Sequence, residues 1–296
     1  MSSARLEQPR ARATRPIRGF VFDVDGTLVL SDRSLGNYEP LPGAGEVLST
    51  LRELTIPFVL LTNGSAYPPA EQAAKMRRIG LPVDDDQMLT PSSVAADLFV
   101  RRGFRRVLVL GKRGVGFALH QAGIETVYVG ERGAGEVDAV FVGWHPDCNM
   151  RDIEAAATAV WNGAKLFAAS DVPFFATKAG RSIGYSFAII GAIRRLTGAT
   201  VTVTGKPSLH AMRFAARTLR LDMPSIGVVG DDPLVEVLMA HRAGASAIGV
   251  TTGVTTGAVW RKQPPRHRPD YVLTELRDIL RLVPAARQRA VGNPPK

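Results

Sequence analysis

The sequence predicts an α/β protein in which helices cross over between the strands of a parallel sheet. Short apolar runs rich in β-branched residues alternate with helical patterns through most of the 296 residues, an order typical of strand–helix–strand units. Hydrophobic residues make up 45% and charged residues 22% of the chain, which excludes a disordered, collagen-like or coiled-coil protein. The length is enough for about two domains, or for one large α/β domain with an insertion.

Each predicted strand is an apolar run bounded by polar or turn-forming residues. In chain order, the predicted strands cover residues 17–25, 57–62, 107–110, 139–142, 166–169, 201–204, 226–230, 247–250 and 271–273. Apolar residues at helical spacing predict helices over 44–54, 69–79, 92–101, 151–162, 184–196, 209–219 and 234–242. Ligands of open parallel sheets bind beyond the carboxyl ends of the strands, so candidate site residues are sought there.

Composition excludes several classes of protein. The longest uncharged segment, residues 243–260, contains four glycines and four threonines, so it predicts a strand and a glycine-rich turn and no membrane span. The arginine-rich beginning of the chain lacks the apolar run of a secretory signal. One cysteine, Cys148, excludes an intramolecular disulfide and a cysteine metal cluster, and the five histidines show no ligand spacing. These features predict a cytoplasmic protein.

The net charge of +10 is concentrated at the two ends of the chain. Residues 1–18 carry +4, residues 281–296 carry another +4, and the intervening residues carry only +2. A nearly neutral body disfavours a nucleic-acid-binding fold. We therefore predict basic flexible tails over residues 1–16 and 284–296, with polyanion binding by these tails as the alternative.

Two carboxylates end the first predicted strand. Asp23 and Asp25 are two residues apart, so in a strand their side chains face the same way while Val24 returns to the core. Two close carboxylates repel each other unless a cation or a shared proton intervenes, and Mg²⁺ is a hard cation that proteins bind through carboxylates. Gly26 allows a sharp turn. The alternative is an Asp–Gly pair that only terminates the strand.

Two other strand ends offer groups that suit a phosphate. Thr62, Asn63 and Gly64 supply a hydroxyl, an amide and exposed backbone N–H groups after the second strand. Lys206 precedes Pro207, which fits the first turn of the following helix, so the lysine would lie at the positive end of a helix dipole. A cation there is favoured when an anion shares the site. Taken singly, each motif is also compatible with an ordinary turn.

A fourth strand end adds further carboxylates. Asp231 and Asp232 follow residues 226–230, and Glu236 lies early in the next predicted helix. Such carboxylates complete a metal site or cap a helix. We predict helix capping or an indirect role for Asp232.

The motifs DVDGTL, LLTNG, GKPS and GDD, in this order, together resemble those of the haloacid-dehalogenase-like (HAD) phosphatase superfamily. The long interval between Asn63 and Lys206 is similar to the one in which the subfamily of nitrophenylphosphatases, pyridoxal-phosphate phosphatases and nucleotide monophosphatases inserts a large α/β cap. The resemblance implies a Rossmann-like core with a parallel sheet over residues 17–104 and 200–283, and an inserted α/β cap domain over residues 105–199.

The resemblance also implies a mechanism and a cofactor. Asp23 would be the nucleophile that forms an aspartyl-phosphate, and Asp25 the general acid and then the base. Lys206 would neutralise charge on the phosphoryl group. The implied metal is Mg²⁺, held by Asp23, Asp25 through its carbonyl, and Asp231. The implied activity is hydrolysis of phosphomonoesters of small metabolites such as nucleotides, cofactors or sugars.

Substrate binding would use both parts of the chain. Thr62, Asn63 and Gly64 would hold the phosphoryl group, and Asp171 in the predicted cap would face the leaving group, with a turn-forming role as its alternative. The implied partner is a small phosphorylated metabolite, without membrane or nucleic acid, and the resemblance implies a homodimer through the cap. The fourth motif has Val235–Glu236 where the subfamily usually has Thr–Asp. A non-catalytic binding or regulatory protein of the same fold is therefore the alternative function.

Two weaker signals lie in the predicted cap. Gly111–Gly116 superficially resembles a phosphate-binding loop but lacks the spacing and the Ser or Thr of that motif, so it predicts a strand-to-helix turn. Trp144 and His145 follow a predicted strand, and we favour packing over substrate contact for them.

Overall fold

The computed structural model describes residues 16–32, 37–177, 180–253 and 255–283. In chain order the strands are β1 (Gly19–Phe22), β2 (Val29–Ser31), β3 (Tyr38–Pro40), β4 (Phe58–Leu61), β5 (Met88–Leu89), β6 (Arg106–Leu110), β7 (Glu125–Val127), β8 (Ala139–Val142), β9 (Lys165–Ala168), β10 (Phe174–Thr177), β11 (Gly180–Ile183), β12 (Val201–Val203), β13 (Ile226–Gly230), β14 (Ser246–Val250) and β15 (Tyr271–Leu273).

The α-helices are α1 (Ala44–Glu53), α2 (Pro69–Arg78), α3 (Pro91–Arg102), α4 (Arg113–Gln121), α5 (Met150–Trp161), α6 (Tyr185–Thr197), α7 (Leu209–Leu219), α8 (Leu238–Ala243) and α9 (Gly257–Lys262). A π-helical turn, Pro233–Val237, precedes α8, and short 3₁₀ segments cover Asp85–Gln87, Met223–Ser225, Pro265–His267 and Leu276–Leu282. Within the described part of the chain, none of the helices combines the length and hydrophobicity that crossing a membrane requires.

The described residues form two compact units. Unit 1 contains those up to Leu61, then Ala73–Met88, and those from Met212 onward, whereas unit 2 contains Thr62–Gln72 and Leu89–Ala211. The predicted cap interval, residues 105–199, lies within unit 2. The boundaries predicted for the core and the cap stay predictions. The predicted tails fall almost entirely on residues 1–15 and 284–296, which lie outside the described residues.

Unit 1 is built on a sheet with the strand order β15-β14-β13-β1-β4-β5. Strand β1 lies between β13 and β4 and pairs in parallel with both, and β14 and β15 continue the parallel pairing. Aromatic and branched side chains from one face of β1 and β4, including Phe20, Phe22, Phe58 and Leu60, pack with α1 in the core of the unit. This packing fixes the strand ends that carry the candidate carboxylates.

Unit 2 has its own sheet, with the order β12-β9-β8-β6-β7 and parallel pairing throughout. Successive side chains of β6 alternate between two cores: Leu108 and Leu110 pack on the side of α5 and α6, and Val107 and Val109 on the side of α3 and α4. A parallel sheet covered on both faces requires such continuous apolar strands. The predicted α/β class with parallel sheets is therefore confirmed.

Most predicted elements are present, with small changes of boundary. The strands predicted over 139–142, 226–230 and 271–273 are confirmed residue for residue. The antiparallel pairs β2–β3 and β10–β11, and the short strands β5 and β7, were not predicted. These strands have two to four residues each, which is too short for a periodic pattern to identify them.

Candidate active site

Asp23 lies immediately after β1 and is 7% exposed. Its backbone N–H donates to the carbonyl of Val229 at 2.9 Å, which continues the pairing of β1 with β13. Its carboxylate accepts a hydrogen bond from the hydroxyl of Thr27 at 3.0 Å. The carboxylate is therefore held at the carboxyl end of the central strand with one oxygen oriented by a neighbouring side chain.

The strand geometry predicted for Asp23 and Asp25 is wrong in one respect. Strand β1 ends at Phe22, and Asp25 lies in a turn, where it makes an isolated bridge with Val29. The turn closes through a 2.7 Å hydrogen bond from Gly26 N–H to the Val29 carbonyl. Strand alternation therefore does not set the direction of Asp25, although Val24 returns to the core as predicted.

Asp231 follows β13, is 5% exposed, and lies against two glycines of unit 1. A Cβ atom at Gly26 or at Gly253 would collide with the Asp231 carboxylate. Gly26 also has φ of +85°, a conformation that only glycine adopts without strain. The Gly26 carbonyl accepts a hydrogen bond from the Thr252 hydroxyl at 2.9 Å. The structure thus brings Asp231 next to the turn that contains Asp25.

Asp232 caps the π-helical turn Pro233–Val237, as predicted for it. Its carboxylate accepts from the Leu234 N–H at 2.7 Å, and its own N–H donates to the carboxylate of buried Glu236 at 3.2 Å. The side chain of Glu236 packs against Gly230, where a Cβ atom would collide with it. Glu236 therefore holds the backbone on both sides of Asp231.

Asn63 and Lys206 are brought together in unit 2. The side-chain oxygen of Asn63 accepts from the Lys206 N–H at 2.7 Å, and its amide nitrogen donates to the Lys206 carbonyl at 3.1 Å. Lys206 is 2% exposed. Gly205 allows this approach, because a Cβ atom there would collide with the Asn63 amide and with the Ala169 carbonyl.

Thr62 and Gly64 shape the loop that carries Asn63. The hydroxyl of Thr62, which is buried, accepts from the Gly64 N–H at 2.9 Å. The Gly64 carbonyl in turn accepts from the side-chain amide of Gln72 at 3.2 Å. The predicted group of hydroxyl, amide and glycine thus forms one hydrogen-bonded turn next to Lys206 in unit 2.

The prediction that Pro207 occupies the first turn of a helix is wrong. Helix α7 begins at Leu209, and Ser208 caps it by accepting from the Ala211 N–H at 3.2 Å. Pro207 follows a cis peptide bond and lies before the cap. Serine is a better N-cap than proline because its hydroxyl can accept a free amide of the first turn. Lys206 is held by Asn63 instead.

Asp171 is exposed and follows β9 by three residues. Its neighbour Ser170 is buried, accepts from the Val172 N–H at 3.1 Å, and binds the Ser186 hydroxyl through its carbonyl at 2.7 Å. The serine therefore forms the turn. Asp171 is left with a solvent-facing carboxylate, and its role toward a substrate stays a prediction.

Three contributors to the acidic site were not predicted. Thr27 orients the Asp23 carboxylate, and Thr252 and Gly253 hold Gly26 and accommodate Asp231. Thr252 and Gly253 follow β14, a fifth strand of the same sheet. Thr252 and Gly253 could have been identified from the sequence, because polar residues follow the predicted strand 247–250 as they follow the other strands that end at the site.

The glycine-rich segment and Trp144 behave as predicted. Lys112 lies in the turn between β6 and α4, so the glycine-rich segment is a strand-to-helix turn. The Trp144 ring packs edge-on against Tyr185 with 4.7 Å between the centroids, and the backbone N–H of Trp144 donates to the Ser65 hydroxyl at 3.0 Å.

The acidic residues of unit 1 fit a hard divalent cation. Asp23 and Asp231 are both buried at the ends of paired strands, and the glycines beside Asp231 leave no Cβ atom against its carboxylate. Buried carboxylates are stabilised when they coordinate a metal, and oxygen donors are the ligands that Mg²⁺ prefers. The donor set is therefore suitable for the predicted metal.

Comparisons with known proteins agree on one family. A model described as haloacid dehalogenase-like hydrolase matches residues 20–125, and a second, described as HAD-hydrolase-like, matches residues 203–279. The chain is 27% identical over 266 residues to an acid sugar phosphatase of Staphylococcus saprophyticus, a match that covers 89% of this chain and 97% of that protein.

Solved structures give the same result. A p-nitrophenyl phosphatase from Archaeoglobus fulgidus superposes with a TM-score of 0.80 and 29% identity, covering 91% of this chain and all of that one. A glycerol phosphate phosphatase from Mycobacterium tuberculosis, in complex with magnesium, superposes with a TM-score of 0.77 and 27% identity, covering 88% of this chain and 76% of that one.

Proposed function

This chain belongs to the haloacid dehalogenase-like hydrolase family and is a phosphatase of that family, and we propose that it hydrolyses phosphomonoesters of small metabolites through an aspartyl-phosphate on Asp23. The observation that carries the proposal is the burial of three charged side chains at strand ends: Asp23, Asp231 and Lys206. Buried charges are rarely maintained without a function or a partner charge.

In the proposed first step, a carboxylate oxygen of Asp23 attacks phosphorus and the ester oxygen leaves with the bonding electron pair. The hydrogen bond from Thr27 to the other oxygen fixes the rotamer of the nucleophile. Asp25 donates its proton to the leaving oxygen. Formation of the covalent intermediate divides one difficult displacement into two easier ones.

In the proposed second step, Asp25 removes a proton from water, and the resulting hydroxide attacks the phosphorus of the aspartyl-phosphate. The bond between phosphorus and the Asp23 oxygen breaks, which releases inorganic phosphate and restores both carboxyl groups. General acid–base help of this kind is typically worth about 10²–10⁴-fold in rate.

The proposal assigns binding of the phosphoryl group to Thr62, Asn63, Gly64 and Lys206. Lys206 supplies a positive charge, and Asn63 fixes the backbone that carries it. In phosphoryl transfer, positioned cations and N–H donors stabilise the charge on the non-bridging oxygens. These residues would therefore act by positioning and electrostatics, without covalent chemistry of their own.

We further propose Mg²⁺ as the cofactor, held by Asp23, Asp231 and the Asp25 carbonyl. When bound, Mg²⁺ supplies charge that offsets the negative charge of the phosphate ester. The fit of the carboxylates in unit 1 supports this choice, as does the magnesium complex of the related glycerol phosphate phosphatase.

Small metabolites are the proposed substrates because the similar proteins are named for sugar phosphates, p-nitrophenyl phosphate and glycerol phosphate. Asp171 is the residue proposed to select among leaving groups, since its carboxylate is exposed in the predicted cap. The cytoplasmic location and the homodimer through the cap belong to the same proposal. Light scattering of the purified chain tests the dimer.

The test measures phosphate release from p-nitrophenyl phosphate and from a panel of sugar, nucleotide and cofactor phosphates. We expect release by the wild-type chain with Mg²⁺, and no release after chelation or in Asp23→Asn. Asp86→Asn, a substitution at an exposed carboxylate of the same unit, serves as the control and should retain activity. Turnover that survives both chelation and Asp23→Asn would contradict the proposal.

A further inference from the structure

Three side chains that the proposed reaction does not use meet at one point of unit 2. His145 and Cys148 lie in the loop between β8 and α5, and Asp152 lies in the first turn of α5. One ring nitrogen of His145, the Cys148 sulfur and one Asp152 oxygen all lie within 4.8 Å of one another. The histidines show no ligand spacing along the sequence, but the fold brings His145 close to two other side chains that can bind a metal.

The distances suit coordination of one ion. The His145 Nε2 and Asp152 Oδ2 atoms are 3.2 Å apart. Two ligands at roughly 2 Å from a tetrahedral Zn²⁺ ion lie about 3.3 Å from each other, so this spacing is compatible with a shared metal. The same spacing also allows a hydrogen bond between these two residues, which would leave the thiol without a role.

Local hydrogen bonds hold the cluster in place. The Asn149 N–H donates to the Asp152 carboxylate at 2.8 Å, and the Asn149 side chain accepts from the Arg151 N–H at 2.9 Å. At the other end of the loop, the Lys112 N–H donates to the Trp144 carbonyl at 2.9 Å. Ligands oriented by such surrounding hydrogen bonds bind metals more tightly.

The two ring nitrogens of His145 have different surroundings. Nε2 faces the Asp152 carboxylate, whereas Nδ1 is buried and has no hydrogen-bond partner among the described residues. The His145 side chain as a whole is 18% exposed and that of Asp152 is 10% exposed, so the cluster is sheltered while access from solvent is retained.

We propose that His145, Cys148 and Asp152 form a second metal site that binds a divalent transition metal of the zinc class. Imidazole and thiolate are the ligands that Zn²⁺ prefers, and they are poor ligands for Mg²⁺. A neutral imidazole, one thiolate and one carboxylate balance the charge of a divalent cation. Three protein ligands leave the fourth tetrahedral position for water.

The Cys148 thiol gives this cluster a sulfur ligand, which the acidic site in unit 1 lacks among its proposed ligands. A thiol must lose its proton to coordinate a metal, and thiophilic cations displace that proton. A bound metal would join the loop before α5 to the first turn of that helix.

The test titrates Co²⁺, and then Zn²⁺, into the full chain after chelation, with Mg²⁺ in excess. Co²⁺ bound to a thiolate gives a near-ultraviolet charge-transfer band, which carboxylate sites do not give. We expect this band with one Co²⁺ per chain and its loss when Zn²⁺ is added. The band should also appear in Asp231→Asn, which lacks a carboxylate of the acidic site.

Variants assign the ligands. Cys148→Ser should abolish the band, and Asp152→Asn, which keeps an acceptor for the Asn149 N–H, should lower the Zn²⁺ affinity by roughly 10-fold or more, since even the partners of metal ligands contribute that much. Asp147→Asn is the matched control, because Asp147 lies in the same loop and pairs with Lys112 outside the cluster. Thermal unfolding without metal verifies that each variant folds.

Two results would overturn the proposal. One is the absence of the charge-transfer band in the wild-type chain. The other is equal Zn²⁺ binding by the wild-type chain, Cys148→Ser and Asp152→Asn, which would place the metal elsewhere. In that case His145 and Asp152 form an ordinary hydrogen-bonded pair. Both readouts measure metal binding, so they can succeed or fail independently of the proposed phosphatase reaction.

Discussion

The side chain of Asn63 holds the backbone of Lys206 on both sides, accepting from its N–H at 2.7 Å and donating to its carbonyl at 3.1 Å. The two residues are separated by 143 positions in the chain. A side-chain amide can donate and accept at once because its nitrogen and its oxygen are separate atoms. The position of the buried Lys206 therefore depends on Asn63, which is uncharged.

Asn63→Ala should lower kcat far more than it raises KM. Both hydrogen bonds to Lys206 are lost, and a displacement of about 1 Å in a catalytic group can cost on the order of 10²-fold in rate. Steady-state kinetics with p-nitrophenyl phosphate measure the effect. Asn162→Ala, which removes an exposed hydrogen bond to Gly135, is the matched control. An unchanged kcat in Asn63→Ala would show that Lys206 keeps its position without Asn63.

Gly26→Ala should abolish Mg²⁺-dependent activity, whereas Gly80→Ala should not. Both glycines have φ of +85°, so both substitutions carry a backbone strain of about 1–2 kcal/mol. Only at Gly26 does the added Cβ collide with Asp231, since no atom lies within 4 Å of such a Cβ at Gly80. Denaturant unfolding measures the backbone strain, and Mg²⁺ titration of activity measures the damage to the site around Asp231. Equal losses in both variants would mean that strain alone explains them.

Glu236→Gln should retain most activity, and Glu236→Ala should lose stability and activity. Glutamine keeps an oxygen that can accept from the Asp232 N–H, whereas alanine leaves that partly buried donor without this acceptor, at a cost of about 1 kcal/mol. Urea unfolding and initial rates check this. If glutamine is as damaging as alanine, the charge of Glu236 is required and its role is not limited to holding the turn.

Asp171→Ala should change the ranking of natural phosphate esters while sparing p-nitrophenyl phosphate. An exposed carboxylate favours leaving groups with hydroxyl or amine donors and repels those with a second negative charge. The nitrophenyl ring has no such donor. Values of kcat/KM across a substrate panel measure the ranking, and a uniform fall for all substrates would assign Asp171 to structure.

Much of the fold could be predicted because the strands of both parallel sheets are continuous apolar runs. Strands β8 and β13 were predicted to the residue, and the polar residues after β1, β4 and β13 were identified from their position alone. Where the chain leaves regular structure, the pattern no longer applies. Asp25 lies in a turn, so strand alternation gave the wrong reason for its placement.

The remaining contacts depend on residues that are distant in the chain or placed by capping. Thr252 reaches Gly26 across 226 positions, and no periodic pattern links them. Asp152 comes close to His145 because α5 begins at Met150 and its first turn directs the carboxylate back to the loop. Contacts of this kind depend on the residue at which a helix begins, and helix ends are the least certain part of a prediction from sequence.

The most direct test of the proposed mechanism is to identify the phosphorylated residue during turnover. Protein quenched while hydrolysing p-nitrophenyl phosphate is reduced with borohydride, which converts an acyl phosphate to an alcohol, and the peptides are analysed by mass spectrometry. We predict that the alcohol forms at Asp23, that it is absent in Asp23→Asn, and that it accumulates in Asp25→Asn, because nitrophenolate leaves without an acid while hydrolysis of the intermediate still needs a base. Modification of another residue, or its absence in all three proteins while the wild-type chain turns over, would contradict the mechanism.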